Sequence, residues 1–135
     1  MLSVAEAVAR VVGDVSVLDA ERVPLLDALD RVLAADARAS YTLPACNNSA
    51  MDGYAVRASE LAGASVDSPR SFRVVETVQA GQFPSRAIAP GEATRIMTGA
   101  PIPIGADTVV RVEDTDGGTT EVRAMSDRDG GKNVR

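Results

Sequence analysis

Apolar residues recur at helical steps only in the first part of the chain. Val4, Ala7, Val8, Val11 and Val12 stand three or four residues apart, which places them on one face of a helix. Ser3 precedes the run and Glu6 follows it by three positions. That is the spacing of a capping box, in which the hydroxyl takes an amide proton and the carboxylate reaches back. Gly13 is the candidate stop, as a left-handed C′ residue. A second run, Leu25, Leu26, Leu29, Val32 and Leu33, follows Pro24. Proline suits a first helical position, so the spacing predicts a helix from Pro24 to Ala35. Asp27 and Arg31 are then four apart on its surface and form a weak pair. Both helices read as packing elements.

From Asp36 the pattern changes to short β-branched or alternating runs, cut by glycine and proline. Asp36 to Leu43 reads as extended and Pro44 ends it. Tyr54–Arg57, Phe72–Val78, Ala93–Met97 and Asp107–Glu113 read as strands. In the last of these, Val110 and Val112 face one way, and Val109, Arg111 and Glu113 the other. Ala58 to Pro69 reads as a polar connection. Ala80-Gly81-Gln82 breaks a strand, and Thr98-Gly99-Ala100-Pro101 turns away from one. Asp116-Gly117-Gly118 reads as a hairpin turn returning through Thr119 to Ala124. Asp127 to Arg135 is polar and glycine-rich. The fold class is therefore α+β and β-rich: a helical N-terminal lobe, then short coiled strands in a barrel-like lobe. No nucleotide-binding glycine motif is present, and strands do not alternate with helices, which disfavours a dinucleotide fold.

Composition narrows the chemistry. The chain has 135 residues, 45% hydrophobic and 24% charged, a globular balance. Nineteen acidic against fourteen basic residues leave a net charge of −5, and the only lysine is Lys132. With no basic cluster and only Tyr41, Tyr54, Phe72 and Phe83 as aromatics, nucleic acid is not an expected partner. The absence of histidine removes histidine-dependent catalysis and histidine-ligated zinc. Cys46 is the single cysteine. It excludes an internal disulfide, suits a reducing compartment, and reads as a small hydrophobic filler. No apolar run is long enough to span a membrane, and no signal peptide is evident, so the expected location is the cytoplasm.

Two loops carry the candidate chemistry. The first lies in Asn47-Asn48-Ser49-Ala50-Met51-Asp52-Gly53-Tyr54-Ala55-Val56. Asn48, Ser49 and Asp52 offer an amide, a hydroxyl and a carboxylate, and Gly53 lets a ligand or a second backbone approach. Such a carboxylate can hold a hard cation or orient a water. The same residues also make ordinary solvated turns. The second loop holds Thr98, whose hydroxyl can meet a phosphate or a metal-bound water, and Gly99. Asp107 is read as a turn cap, Glu92 as turn chemistry, and Glu113 and Asp114 as solvent-facing charge on the hairpin. One carboxylate and one hydroxyl do not complete a metal site, which wants further acidic ligands or substrate phosphates.

The first run, and the second run Arg95-Ile96-Met97-Thr98-Gly99-Ala100-Pro101-Ile102-Pro103-Ile104-Gly105-Ala106-Asp107-Thr108-Val109-Val110, resemble the signatures of the molybdopterin molybdenumtransferase family (the MoeA and gephyrin E-domain proteins). Pro24 to Asp36 resembles the family's second helix. Pro90-Gly91-Glu92 resembles a turn of the family. The resemblance runs from Ser3 to Arg135 and covers about the first third of the family's usual length. It implies an elongated first domain, with residues 1–44 as its helical part. An inserted β-rich second domain follows at 45–125, and 126–135 start the return to the first. It implies an enzyme of molybdenum cofactor synthesis that uses Mg²⁺ and molybdate, cleaves adenylylated molybdopterin and releases AMP. It further implies a homodimer whose active site is composite, one wall being this chain's β-rich lobe. By position, the family's functional aspartate is Asp52 and its functional threonine is Thr98. Asp52 is then both catalytic and a metal ligand, with Asn48, Ser49, Gly53 and Gly99 binding substrate. Where the family commonly has an aspartate and an aromatic, this chain has Asn47 and Cys46. The ending at Asn133-Val134-Arg135 resembles the middle of a family motif, so the chain reads as a truncated piece that is inactive alone. The alternative is a non-catalytic scaffold or binding module derived from the same family.

Overall fold

The computed structural model describes residues 2–135. They form two compact units, one reaching to Ser40 and one from Tyr41 to Arg135. The fold is mixed α+β and β-rich, with a curled half-barrel sheet of five strands.

The first unit holds α1, Val4–Gly13. Its capping box is fully made: the Glu6 backbone N–H donates to Ser3 Oγ, and Glu6 Oε2 accepts from Ser3 N at 2.8 Å. Gly13 is the last helical residue and not a left-handed cap; Asp14 caps the helix with right-handed backbone. The helix expected over Pro24 to Ala35 does not form. Only a 3₁₀ turn, Leu25–Asp27, appears there. Asp30 adopts a φ of 64°, which breaks helical progression. Leu25, Leu26, Leu29, Val32 and Leu33 are exposed. Apolar spacing alone does not sustain so short a helix when its face has nothing to pack on. Arg31 pairs with Glu21 rather than Asp27. Asp36 to Leu43 forms no strand.

The second unit is built on the sheet. Its strands are β1 Gly53–Val56, β2 Arg70–Val78, β3 Glu92–Ile96, β4 Thr108–Arg111 and β5 Glu121–Ala124. Their spatial order is β4-β1-β3-β2-β5. β1 runs antiparallel to both neighbours, with Tyr54 opposite Arg95 on one side and Val110 on the other. β2 and β3 are parallel, with a register shift between Val74 and Glu76. A short helix α2, Ala58–Leu61, interrupts the segment read as a plain connection. Asp107 Oδ1 accepts from the Ala58 backbone N–H at 2.7 Å, so it caps α2 from across the chain.

The hairpin expected around Gly117 is only local. Thr115 bridges Ala124, but β5 pairs with β2, Phe72 facing Val122. β4 stops at Arg111, and Val112–Asp114 turn in a 3₁₀ helix that carries the chain away. Asp114 is not solvent-facing charge. Arg128 Nε donates to it at 2.6 Å, and Arg111 lies 3.6 Å away. Glu92 is more than a turn residue. It is buried and receives Arg73, Arg86 and the Ala89 N–H. The Ala89 N–H, with the two arginine charges, holds its carboxyl below the ordinary range. Those contacts anchor the crossover between the parallel strands.

Each face of the sheet has its own core. Tyr54, Val56, Leu61, Phe72, Val110 and Val122 pack together on one face, with Val112 against them. Ala55, Val78, Ile96, Ala100 and Val109 pack on the other. The alternation expected for Val109 and Val110 is thereby met. Burial on both faces also explains why all of β1 is buried.

Candidate functional site

Backbone pairing brings the two candidate loops together. The Ser49 N–H donates to Ala100 O at 2.9 Å, the Gly99 N–H to Ser49 O at 2.8 Å, and the Ile102 N–H to Asn47 O at 3.0 Å. The C-terminal segment closes the other side. Asn48 and Arg135 exchange both backbone hydrogen bonds at 3.0 Å, and the Ala50 N–H donates to Asn133 O. The Asn47–Ala50 stretch is thus a short strand-like rib between two others. It ends one turn before β1, where Asp52 sits.

Asp52 is exposed, and one of its oxygens is fixed. Oδ1 accepts from the Thr98 backbone N–H at 2.7 Å and from Thr98 Oγ1 at 2.7 Å. The Asp52 carbonyl accepts from the Val112 N–H at 3.0 Å, which ties the loop to the end of β4. The Thr98 hydroxyl, then its backbone N–H and, more weakly, the Arg95 charge hold the Asp52 carboxyl below its ordinary range. It is therefore ionised at neutral pH. Among the described residues Oδ2 accepts no hydrogen bond. Thr98→Val removes the largest of these influences at an exposed position. The expected result is that the Asp52 carboxyl titrates closer to an unperturbed aspartate, read by carboxyl-carbon NMR against pH. An unchanged titration would show that the hydroxyl contributes nothing.

The other candidates occupy different places. Ser49 is buried, and its Oγ donates to Met51 O at 2.6 Å. Gly53 lies inside β1, where a Cβ would stand 1.9 Å from Val110 O. Gly99 takes a φ of 85°, which turns the Thr98 loop away from β3. Asn48 Oδ1 is buried without a partner among the described residues. Cys46 is exposed, so it is not a core filler. It lines a groove of about 510 Å³ with Asn47, Phe83, Arg86, Pro101 and Ile104. Asp52 and Thr98 do not line that groove.

Two residues of the site were not singled out from the sequence. Arg95 stands opposite Tyr54, with its guanidinium carbon 5.3 Å from the ring centre. Asp129, in the polar tail, is buried and takes Arg111 through three hydrogen bonds. Burial alone would push its carboxyl up; the Arg111 side chain and backbone N–H outweigh that and hold it down. The alternation of β4 hinted at Arg111, but nothing local marked Asp129 as its partner.

Among the described residues no three of His, Cys, Asp and Glu gather as a metal site. The chain offers one ionised, solvent-facing carboxylate oxygen at Asp52. Mg²⁺ commonly takes one or two carboxylates, keeps several waters and adds substrate phosphates. Asp52 fits one ligand of such a site and does not complete one by itself. No helix among the described residues is long and apolar enough to cross a membrane.

The MoeA N-terminal region (domain I and II) matches residues 2–135. Molybdopterin molybdenumtransferase 2 of Mycobacterium tuberculosis is 45% identical over 113 residues, 84% of this chain and 28% of the relative. The molybdopterin molybdenumtransferase of Synechococcus elongatus is 46% identical over 117 residues, with 84% and 29% covered. A crystal structure of the molybdopterin biosynthesis MoeA protein of Pyrococcus horikoshii superimposes with a TM-score of 0.77 at 32% identity. That match covers 85% of this chain and 30% of the other. The chain spans less than a third of the length of these relatives. Sequence match and superposed fold agree, and the chain belongs to the family of the MoeA N-terminal region, domains I and II.

Proposed function

We propose that this chain is the N-terminal portion of a molybdopterin molybdenumtransferase and supplies one wall of its active site. The complete enzyme takes adenylylated molybdopterin and molybdate, places molybdenum on the dithiolene sulfurs and releases AMP. Residues 1–44 are the opening part of the first domain, which carries dimer contacts, 45–125 form the second, and 126–135, which pack in the same compact unit as 45–125, start the return to the first. The single observation that carries the reading is the Asp52–Thr98 arrangement. One carboxylate oxygen is fixed by two short hydrogen bonds, and the other faces solvent. A rigidly held, ionised carboxylate at a loop rim is suited to holding a hydrated cation or orienting a water. Mg²⁺ bound there would neutralise phosphate charge on the substrate. Asp52 would hold such a cation through its free oxygen, and Thr98 fixes Asp52 and borders the same region. Asn48, Ser49, Gly53 and Gly99 shape the rim.

Asp52→Asn in the complete enzyme tests the reading. It keeps the volume and the hydrogen bond to Thr98 but removes the charge. Turnover should fall by about a hundredfold or more, with the thermal transition unmoved. Unchanged turnover would remove the catalytic role of Asp52, whereas a complete wild-type protein that releases no AMP would favour the scaffold reading.

A further inference from the structure

Arg95 differs from the arginines of the second unit that precede the terminal Arg135. Arg57 and Arg70 donate to backbone carbonyls. Arg73 and Arg86 meet Glu92, Arg111 meets Asp129, Arg123 meets Asp116, and Arg128 meets Asp114. Among the described residues, Arg95 reaches neither a carboxylate nor a carbonyl. Its one hydrogen bond runs from Nη1 to Tyr54 Oη. That hydroxyl donates onward to Gly118 O at 3.0 Å, so it is fully used as a fixed support. The guanidinium also lies against the Tyr54 ring. Stacking and a single hydrogen bond orient a planar cation while leaving most of its N–H groups uncommitted.

The placement of this cation matters. Arg95 is on β3 three residues before Thr98, and it faces Tyr54, two residues after Asp52. Tyr54 itself is buried and needs no arginine to stay in the core. A half-buried guanidinium with free, parallel N–H groups matches a tetrahedral oxyanion, which it can bind through two oxygens. We infer that Arg95 is an anion-binding residue for a phosphate or molybdate oxyanion at the Asp52–Thr98 rim. Asp52 repels such an anion when bare, so binding strengthens when Mg²⁺ offsets its charge. The inference rests on Asp52–Thr98 being the site, but it is tested without turnover.

The test is an NMR titration of the full, isotope-labelled chain with pyrophosphate and, separately, with molybdate, each with and without MgCl₂. Saturable shifts are expected at the Arg95 Nε–H and at the Thr98 and Gly99 amides, stronger with Mg²⁺. Arg95→Gln should weaken affinity by about tenfold or more, as expected for losing a charge-assisted pair. The Ala55 and Val109 amides report whether that variant keeps its sheet. If it does not, Arg95→Lys keeps the charge without the planar fork and should weaken binding severalfold. Saturation by pyrophosphate, by molybdate, or by both supports the site, and which one saturates names the oxyanion. No saturable shift at Arg95 with either anion, or equal affinity in every folded variant, overturns it. The two readings fail separately. Normal turnover by Asp52→Asn with anion shifts intact at Arg95 removes the catalytic role alone. Lost turnover with a silent Arg95 removes the anion site alone.

Discussion

Gly53→Ala is expected to destabilise the second unit by about 3 kcal/mol, at the upper end of overpacking costs. The cause is contact with immovable atoms. A Cβ at Gly53 would lie 1.9 Å from Val110 O, 2.9 Å from Val110 C and 3.0 Å from Arg111 Cα. All three are backbone atoms of β4, so no side chain can swing aside. Relief requires β1 and β4 to separate, and Tyr54, Ala55 and Val56 pair with β4 along the same edge. It also strains the Val112 N–H to Asp52 O bond, one residue away. Against a typical total of about 5–15 kcal/mol, the loss is large. Chemical denaturation of the chain without any ligand measures it. A shift within about 0.5 kcal/mol would show that the strands part easily, and would leave ligand approach as the reason for glycine here.

That contrast shows how sequence and structure divide the problem. A small residue after Asp52 suggests close approach, but not what approaches. In the folded chain it is the β4 backbone. Local features were readable because their causes are local. The Ser3–Glu6 capping box and α1 involve neighbours in sequence, and β1 to β4 show as β-branched runs between turn residues. Pairing was not readable. Gly117 and Gly118 look like a hairpin turn, yet β5 finds β2 across the sheet, and β2 and β3 run parallel. Periodicity also overreached at Pro24 to Ala35, where apolar spacing has no packing surface to reward it. In the site, Asp52 and Thr98 were legible as two motifs. Their hydrogen bonds, the Tyr54-supported Arg95 and the buried Asp129 depend on contacts between distant segments. Asp129 sits among polar and glycine residues, where composition suggests solvent.

Asp129→Ala should remove about 2–3 kcal/mol of stability. That is less than the ~3–5 kcal/mol for breaking a fully buried pair. The discount follows from exposure: the Asp129 side chain is 2% exposed but Arg111 is 31% exposed, so water recovers part of the lost interaction. The alanine leaves the Arg111 N–H, Nε and Nη2 without their acceptor, bonds of 3.1, 3.0 and 2.9 Å. The pH dependence carries a sign. The folded-state carboxyl titrates below its ordinary value. Its contribution is therefore present above the unfolded pKa of about 4 and is lost as pH falls through the folded value. Wild type should lose stability on acidification, and Asp129→Ala should lose less over the same range. The consequence reaches the site. Thr108 Oγ1 donates to Asp129 O at 2.7 Å, and Lys132 to Arg135 continue from there to line the Asn48–Ala50 rib. Hydrogen exchange at the Asn48, Ala50 and Arg135 amides should accelerate before that of Ala55 and Ile96 in the sheet core. If denaturation and exchange both match wild type, the Arg111–Asp129 pair does not hold the segment. If the core amides accelerate equally, the segment opens only with the whole sheet.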